Sequence, residues 1–188
     1  MNRSAPAPLT DAGNPPWSRL QALEDLAALH ALKTRYARAA DAKYTPDGQR
    51  QTGAALERAA RAQANCFTDD GVWEGGAFGG DLVGREAIYQ NFLRAPWRYA
   101  MHFYQAPDIQ LDGDTAAGSW LLWQIAVNES DGQTRLLHGR TREHYRRGEE
   151  GWLISRMRFD SLHSLCIASD PQALRCLIPG FPATSPNT

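Results

Sequence analysis

The chain has 188 residues and a formal net charge of −1, from 20 Lys+Arg against 21 Asp+Glu. This length predicts one domain that buries roughly 70% of its unfolded surface, enough for a core that encloses a cavity. The balanced charge argues against nucleic acid as a partner, and no run of about 18 apolar residues indicates a membrane span.

Helical periodicity dominates the first half of the chain. Residues 1–16, rich in Pro and small polar residues, are expected to form a disordered tail. Apolar side chains then recur every three or four positions from Leu20 to Tyr36, which predicts a helix over 17–42. Two further helices are predicted over 52–66 and 85–94.

Period-two alternation dominates the second half. A short strand is expected to begin at Val72 and to lead into a hairpin tip at 75–80. Four long strands, each bounded by an Asp/Gly or Ser/Gly turn, are predicted over 99–111, 115–128, 134–147 and 152–160. Residues 161–188 contain a short predicted helix after Asp170, and their first part, 161–181, is too apolar to lie free. They are expected to form an extension that caps a pocket or an interface.

This order of elements predicts an α+β domain over residues 17–160. Its sheet would be a curved, cone-like antiparallel or mixed sheet, with three helices from the N-terminal half packed on the concave face. The mouth of such a cone is the natural ligand site. An aromatic content of 10%, with six Trp, favours a hydrophobic small molecule as the ligand.

The cysteine and histidine patterns bear on the expected location, metal content and cofactor content of the protein. Cys66, Cys166 and Cys176 are odd in number and form no CxxC pair, and no secretory signal layout opens the sequence, so a cytoplasmic location is expected. His138 and His144 would share one strand face about 20 Å apart, too far for one ion. We therefore predict no metal site and, without a phosphate-loop or nucleophile-elbow motif, no cofactor.

Three residues are candidates for acid–base work. Tyr36 and Asp41 lie five positions apart, so their side chains diverge by roughly 140° and could flank a cavity under the helix end. A surface helix end would explain Asp41 equally well. His102 shares a strand face with Tyr104, and imidazole is suited to proton exchange near neutral pH, although a lone strand histidine is usually structural.

Several short motifs follow one another along the chain: Leu32-x-x-x-Tyr36-x-x-x-x-Asp41, Phe67-x-x-Asp70-Gly71-Val72-Trp73, Gly84-x-x-Ala87-Ile88, His102-x-x-x-x-Pro107-x-Ile109-x-x-x-Gly113-Asp114-x-Ala116, Trp120, Gly139-Arg140 and Gly151-Trp152-x-Ile154. Their order and spacing, over about residues 25–160, resemble the SnoaL-like branch of the nuclear transport factor 2-like superfamily. The resemblance implies a cone-shaped pocket. In members similar to scytalone dehydratase and bile-acid 7α-dehydratase, an Asp–His pair carries out elimination, and Asp41, His102 and Tyr36 match the corresponding positions.

Further pocket residues follow from alternation along the predicted strands. Trp120, Leu122 and Gln124 should line the pocket, together with Tyr104. Arg158 could bind a substrate carboxylate or oxyanion, or could lie with Arg156 on the solvated outer face of the sheet.

The resemblance implies a cofactor-independent, dehydratase-like lyase that acts on a hydrophobic cyclic, steroid-like or polyketide-like substrate. Isomerase or cyclase chemistry in the same pocket is an alternative. Another is a non-catalytic protein that binds a hydrophobic ligand or serves as an assembly subunit, since fold does not fix function. A homodimer or homotrimer is expected, because sheets in this family commonly pack face to face.

Overall fold

A computed structural model describes residues 15–76 and 80–168. In these ranges it contains the helices α1 (Pro16–Asp41), α2 (Gly53–Ala64) and α3 (Arg85–Arg94), and the strands β1 (Phe67–Glu74), β2 (Asp81–Val83), β3 (Trp97–Asp112), β4 (Thr115–Asn128), β5 (Thr134–Gly148) and β6 (Gly151–Ala168). Each helix and strand predicted within these ranges is present. The tail over 1–16, apart from its last two residues, and the helix after Asp170 lie outside the described residues.

The six strands form one mixed sheet in the order β2-β1-β6-β5-β4-β3. Strand β1 runs parallel to β6, and every other neighbouring pair is antiparallel. The predicted cone-like α+β fold is confirmed. The helices cover one face of the sheet, with α1 against β3 and β6, α3 against β1, and α2 between α1 and α3.

Irregular positions bend the long strands. The β3–β4 register shifts between Gln105 and Asp108, where Ala106 has a φ of 47°. The β5–β6 register shifts just after Gly139, where the backbones approach so closely that an added Cβ would lie 2.1 Å from the Ser161 carbonyl oxygen. Such bulges increase the local twist and let a sheet curve around its core.

Helix α1 is longer than the surface that covers it. Pro16 occupies its first turn, where the missing N–H costs no hydrogen bond and the fixed φ suits a helix. The helix spans about 39 Å, and its buried residues begin only at Asp25. Leu20 and Leu23, expected on the apolar stripe, are therefore exposed. Asp25 anchors the helix by accepting a hydrogen bond from the Trp152 indole N–H at 3.1 Å.

Strand β6 extends further than its pattern predicts. It reaches Ala168 and pairs with β5 up to the register Thr134↔Ala168. Residues 161–168, predicted as the start of a separate extension, therefore belong to the sheet, and the rest of that extension lies outside the described residues. Among the described helices, none has both the length and the hydrophobicity needed to cross a membrane.

Candidate active site

A cavity of about 370 Å³ lies between the covered face of the sheet and the helices. Its lining is mainly aromatic and apolar: Tyr36, Tyr44, Trp73, Phe92, Pro96, Trp97, Tyr104, Leu122 and Phe159. The polar lining residues are Lys43, Gln63, Asn91, Arg94, His102 and Gln124. Both the volume and the few polar groups in an apolar wall are typical of small-molecule sites.

Asp41 and His102 meet beside this cavity. Asp41 is the last residue of α1, which ends where the Ala42 N–H bonds to the Arg38 carbonyl oxygen at 2.9 Å. Its Oδ1 accepts a hydrogen bond from the His102 backbone N–H at 3.0 Å and lies 2.8 Å from the His102 Nδ1. The Asp41 side chain is 30% exposed and that of His102 is 14% exposed. One carboxylate oxygen thus holds both the strand and the ring of this histidine.

This contact determines what the imidazole can do. An ionised carboxylate only accepts hydrogen bonds, so it favours the tautomer with the hydrogen on Nδ1 and leaves Nε2 with a free lone pair. Burial lowers the pKa of His102 below its ordinary value, although the contact with Asp41 opposes that shift. The ring is therefore neutral at pH 7 and able to accept a proton.

The β3–β4 register brings three more predicted residues to the cavity. His102 pairs with Gln124 and Tyr104 with Leu122, so alternation directs all four side chains to the same face. All four line the cavity. Their placement follows the period-two pattern of the sequence.

Trp120 and Arg158 lie outside the cavity lining. The Trp120 indole N–H donates to the Tyr145 hydroxyl at 2.8 Å, and its ring packs edge-on against His30 near the middle of α1. Arg158 lies on the outer face of β6, where it pairs with Asp160 at 3.3 Å. Alternation explains this position, because the neighbouring Phe159 faces inward and lines the cavity.

Tyr36 is buried in the aromatic part of the wall. Its ring lies about 6 Å from the rings of Phe67, Phe92 and Tyr104, each in an edge-on arrangement. Burial raises the pKa of Tyr36 far above its ordinary value. Its hydroxyl therefore stays protonated and can donate a hydrogen bond to an oxygen in the cavity.

A buried ion pair lies behind the tyrosines. The Lys33 ammonium bonds to the Glu143 carboxylate, which also accepts hydrogen bonds from Thr141 at 2.8 Å and from the Tyr145 hydroxyl at 2.7 Å. Lys33 lies over the Tyr104 ring, 3.7 Å from its centroid. Burial lowers the pKa of this lysine, and Glu143 opposes the shift.

Sequence reasoning missed Lys43. It follows α1 by two residues, in a loop closed by hydrogen bonds from the Tyr44 N–H to the Asp41 carbonyl oxygen and from the Gln51 N–H to the Lys43 carbonyl oxygen. The signal was present in the composition: the chain has 18 arginines but only two lysines. Both lysines are buried.

Two other missed polar groups are buried in the wall. Gln63 and Trp73 both line the cavity, and both donate towards the Tyr36 hydroxyl. The Gln63 side-chain oxygen has no partner among the described residues. Since buried polar atoms are normally satisfied, this acceptor is suited to a polar group of a bound molecule.

Within residues 15–76 and 80–168, no three His, Cys, Asp or Glu side chains lie together as a metal site would require. His138 lies on the outer face of the sheet, stacked on His163 with ring centroids 5.0 Å apart. His144, further along β5, is exposed.

The mixed curved sheet and its covering helices define the nuclear transport factor 2-like architecture. The sequence profile of the SnoaL-like domain matches residues 21–158, and the chain belongs to this family. Curated protein sequences gave no match to the chain.

Solved structures show the same fold at low sequence identity. An NTF2-like protein with a cystatin-like fold from Novosphingobium aromaticivorans is 23% identical, with a TM-score of 0.58 over 76% of this chain and 85% of that one. LinA is 17% identical, with a TM-score of 0.67 over 86% and 99%. The hexachlorocyclohexane dehydrochlorinase LinA-type3 from Novosphingobium barchaimii LL02 is 17% identical, with a TM-score of 0.62 over 80% and 96%.

Proposed function

We propose that this protein is a cofactor-independent lyase that removes water from a hydrophobic hydroxylated molecule. The observation that carries the proposal is the Asp41–His102 pair, joined at 2.8 Å, with its imidazole in the wall of an aromatic cavity. The name of one structural neighbour, a dehydrochlorinase, describes an elimination, which supports the same class of reaction.

The proposed reaction needs only proton transfer. His102 Nε2 takes a proton from a carbon next to a carbonyl group, and the C–H electron pair becomes the new C=C bond. The C–O bond to the leaving hydroxyl breaks, and the imidazolium returns the proton to that oxygen as water leaves. Asp41 stabilises the imidazolium through its carboxylate. The Tyr36 hydroxyl donates to the carbonyl oxygen as it gains charge.

The same base could instead return the proton to another carbon of the substrate, which would be an isomerisation. A non-catalytic binding protein gains less support, because it would not need a neutral histidine oriented by a carboxylate in the cavity wall. Product analysis separates the first two cases, and turnover separates both from the third.

The test is an assay of the purified protein against a panel of hydroxylated cyclic ketones and steroids, followed by mass spectrometry for loss of 18 Da (the mass of water) and by absorbance of the conjugated enone. We expect turnover of at least one panel member by the wild type and none by the Asp41→Asn/His102→Ala double variant. Equal turnover by a folded double variant would remove the pair from the mechanism.

Tyr36→Phe is expected to lower kcat by about 10- to 100-fold with a small change in KM, because a donor that acts mainly on developing charge is lost. Tyr89→Phe is the matched control, since that ring lies under the Arg61 guanidinium, away from the cavity lining. Steady-state kinetics of both variants on the same substrate checks this. A Tyr36→Phe enzyme with unchanged kcat would contradict the assigned donor.

A further inference from the structure

We propose that Lys43 forms an anion-binding subsite in the cavity, and that the natural substrate is an apolar molecule that carries a carboxylate or a comparable oxyanion. This inference deepens the proposed function, because it assigns a chemical class to the substrate of the same cavity. It can be tested by binding alone.

The Lys43 side chain is buried and unpaired. The residue is 6% exposed, and its amine lies in the cavity wall, 5.3 Å from the centroid of the Phe92 ring. Among the described residues, none of the side-chain hydrogen bonds or of the ion pairs within 4.0 Å involves this amine, in contrast to that of Lys33. A buried ammonium without a counter-charge is unfavourable, so the fold leaves it available for a group that the cavity receives.

The other ionisable groups of the lining do not supply the missing negative charge. Arg94, at the exposed edge of the cavity, is a second cation, and no Asp or Glu belongs to the lining. Burial raises the pKa values of Tyr36, Tyr44 and Tyr104, so these tyrosines stay neutral. His102 is neutral as well, and Asp41 stands behind it, bonded to its ring.

Lys33, the other lysine of the chain, is a buried ammonium that does have a counter-charge. Lys33 is 2% exposed and is paired with Glu143. Arg158, the cation that the sequence suggested for an oxyanion, is paired with Asp160 outside the cavity. Lys43 is therefore the buried lysine, within the described part of the chain, that forms no direct ion pair; the carboxylate that attracts it, Asp41, is bonded to His102.

Burial lowers the pKa of Lys43 to about 8, and the attraction of Asp41 opposes the shift only in part. The amine is thus mainly protonated at pH 7 and loses its charge within an accessible alkaline range. A compact ammonium whose pKa responds to burial is a property of lysine that arginine does not share. This difference fits the use of lysine here, since, apart from histidines, the exposed basic side chains of the described ranges are arginines.

Two probes of the same shape test the charge preference. 2-Naphthoate and 2-naphthamide share one ring system, but only the first is an anion, and neither carries a leaving group. Calorimetric titration at pH 7 is expected to show at least about tenfold tighter binding of 2-naphthoate, the ratio that a buried charge-assisted hydrogen bond provides. Equal affinities, or binding of neither probe, would overturn the proposal.

The pH dependence of the wild type tests Lys43 without any substitution. From pH 7 to 9.5 the Lys43 ammonium loses its proton, whereas the carboxylate of 2-naphthoate keeps its charge and guanidinium groups in general are not deprotonated. The preference for 2-naphthoate should fall several-fold over this range, and the affinity of 2-naphthamide should stay constant. A preference that does not change with pH would assign the anion contact to Arg94 and overturn the role of Lys43.

The variants complete the test. Lys43→Met should abolish the preference and retain 2-naphthamide binding, whereas Arg38→Met, which removes one exposed positive charge from α1, should leave the preference unchanged. The Lys43→Met protein should unfold at no lower urea concentration than the wild type, because a buried unpaired cation has been removed. If the charge preference is present but no panel member turns over, the anion subsite stands and the lyase proposal fails. Turnover without charge preference would support the lyase proposal and overturn the anion subsite.

Discussion

His102→Ala is expected to lower kcat/KM for water loss by about 10²- to 10⁴-fold, the range over which general acid–base catalysis contributes. The imidazole is the only group in the proposed reaction that both accepts the carbon-bound proton and delivers it to the leaving oxygen. Folding should be retained, because the side chain borders a cavity and its removal leaves the β3–β4 ladder intact. Stopped-flow or steady-state kinetics on the substrate found in the panel measures the effect.

Asp41→Asn should have a smaller effect, about 10- to 100-fold. The amide oxygen can still accept from the His102 backbone N–H and from Nδ1, so the orientation of the ring survives. The negative charge that stabilises the imidazolium is lost. A larger loss for His102→Ala than for Asp41→Asn indicates that His102 is the base and that Asp41 positions it. The reverse order would indicate that the Asp41 carboxylate acts on the substrate directly.

The pH dependence of kcat/KM gives an independent test of His102 as the base. Burial places the pKa of His102 below its ordinary value, so the catalytic neutral form predominates at pH 7 and is lost as the pH falls through that lowered pKa. We expect kcat/KM of the wild type to be level near pH 7 and to fall on the acidic side with unit slope. His144→Ala and Asp112→Asn, changes at exposed positions, should leave both rate and profile as in the wild type. A His102→Ala enzyme with the wild-type acidic limb would contradict the assignment.

Local patterns predict the parts of this site that lie on regular elements. The helix predicted over 17–42 ends before the turn signal Thr45-Pro46-Asp47-Gly48, and the structure likewise places Asp41 at the helix end. Alternation along β3 and β4 places Tyr104, Leu122 and Gln124 on the same face as His102, and the structure agrees.

The parts that sequence reasoning missed depend on contacts between distant segments. The sequence left open which face of β6 points inward; Met157 is buried in the core and Phe159 lines the cavity, so Arg158 between them lies on the outer face. Lys43 lies in a loop without periodicity, so the direction of its side chain depends on the hydrogen bonds that shape the loop. Trp120 has the predicted inward orientation, but its position along β4 places it under α1, where it bonds to Tyr145.

Glu143→Gln is expected to destabilise the protein by about 3–5 kcal/mol, because it leaves the Lys33 ammonium buried without a counter-charge. Lys33 is 2% exposed and the Glu143 side chain 0%. Lys33→Met should cost a comparable free energy of unfolding, although Thr141 and Tyr145 still donate to the remaining carboxylate. Urea unfolding followed by tryptophan fluorescence measures both values.

The Lys33→Met/Glu143→Gln double variant separates the charge pair from its packing. It removes both charges but keeps an amide oxygen as acceptor for Tyr145, so its stability should return to within about 1 kcal/mol of the wild type. Arg61→Met, which breaks the exposed pair with Glu86, should cost less than about 1 kcal/mol. Single variants that cost no more than this control would show that the buried pair contributes nothing.

The kcat of the double variant shows whether the Lys33–Glu143 pair only stabilises the fold or also affects the cavity residues. The Lys33 ammonium lies 3.7 Å from the Tyr104 ring centroid and 4.7 Å from that of Tyr36, so its charge supports the two tyrosines that line the cavity. We expect the double variant to recover stability but to keep a kcat at least about fivefold below the wild type, since the cation under these rings is gone. Full recovery of both quantities would mean that the pair is replaceable by neutral side chains and that the tyrosines are positioned by aromatic packing alone.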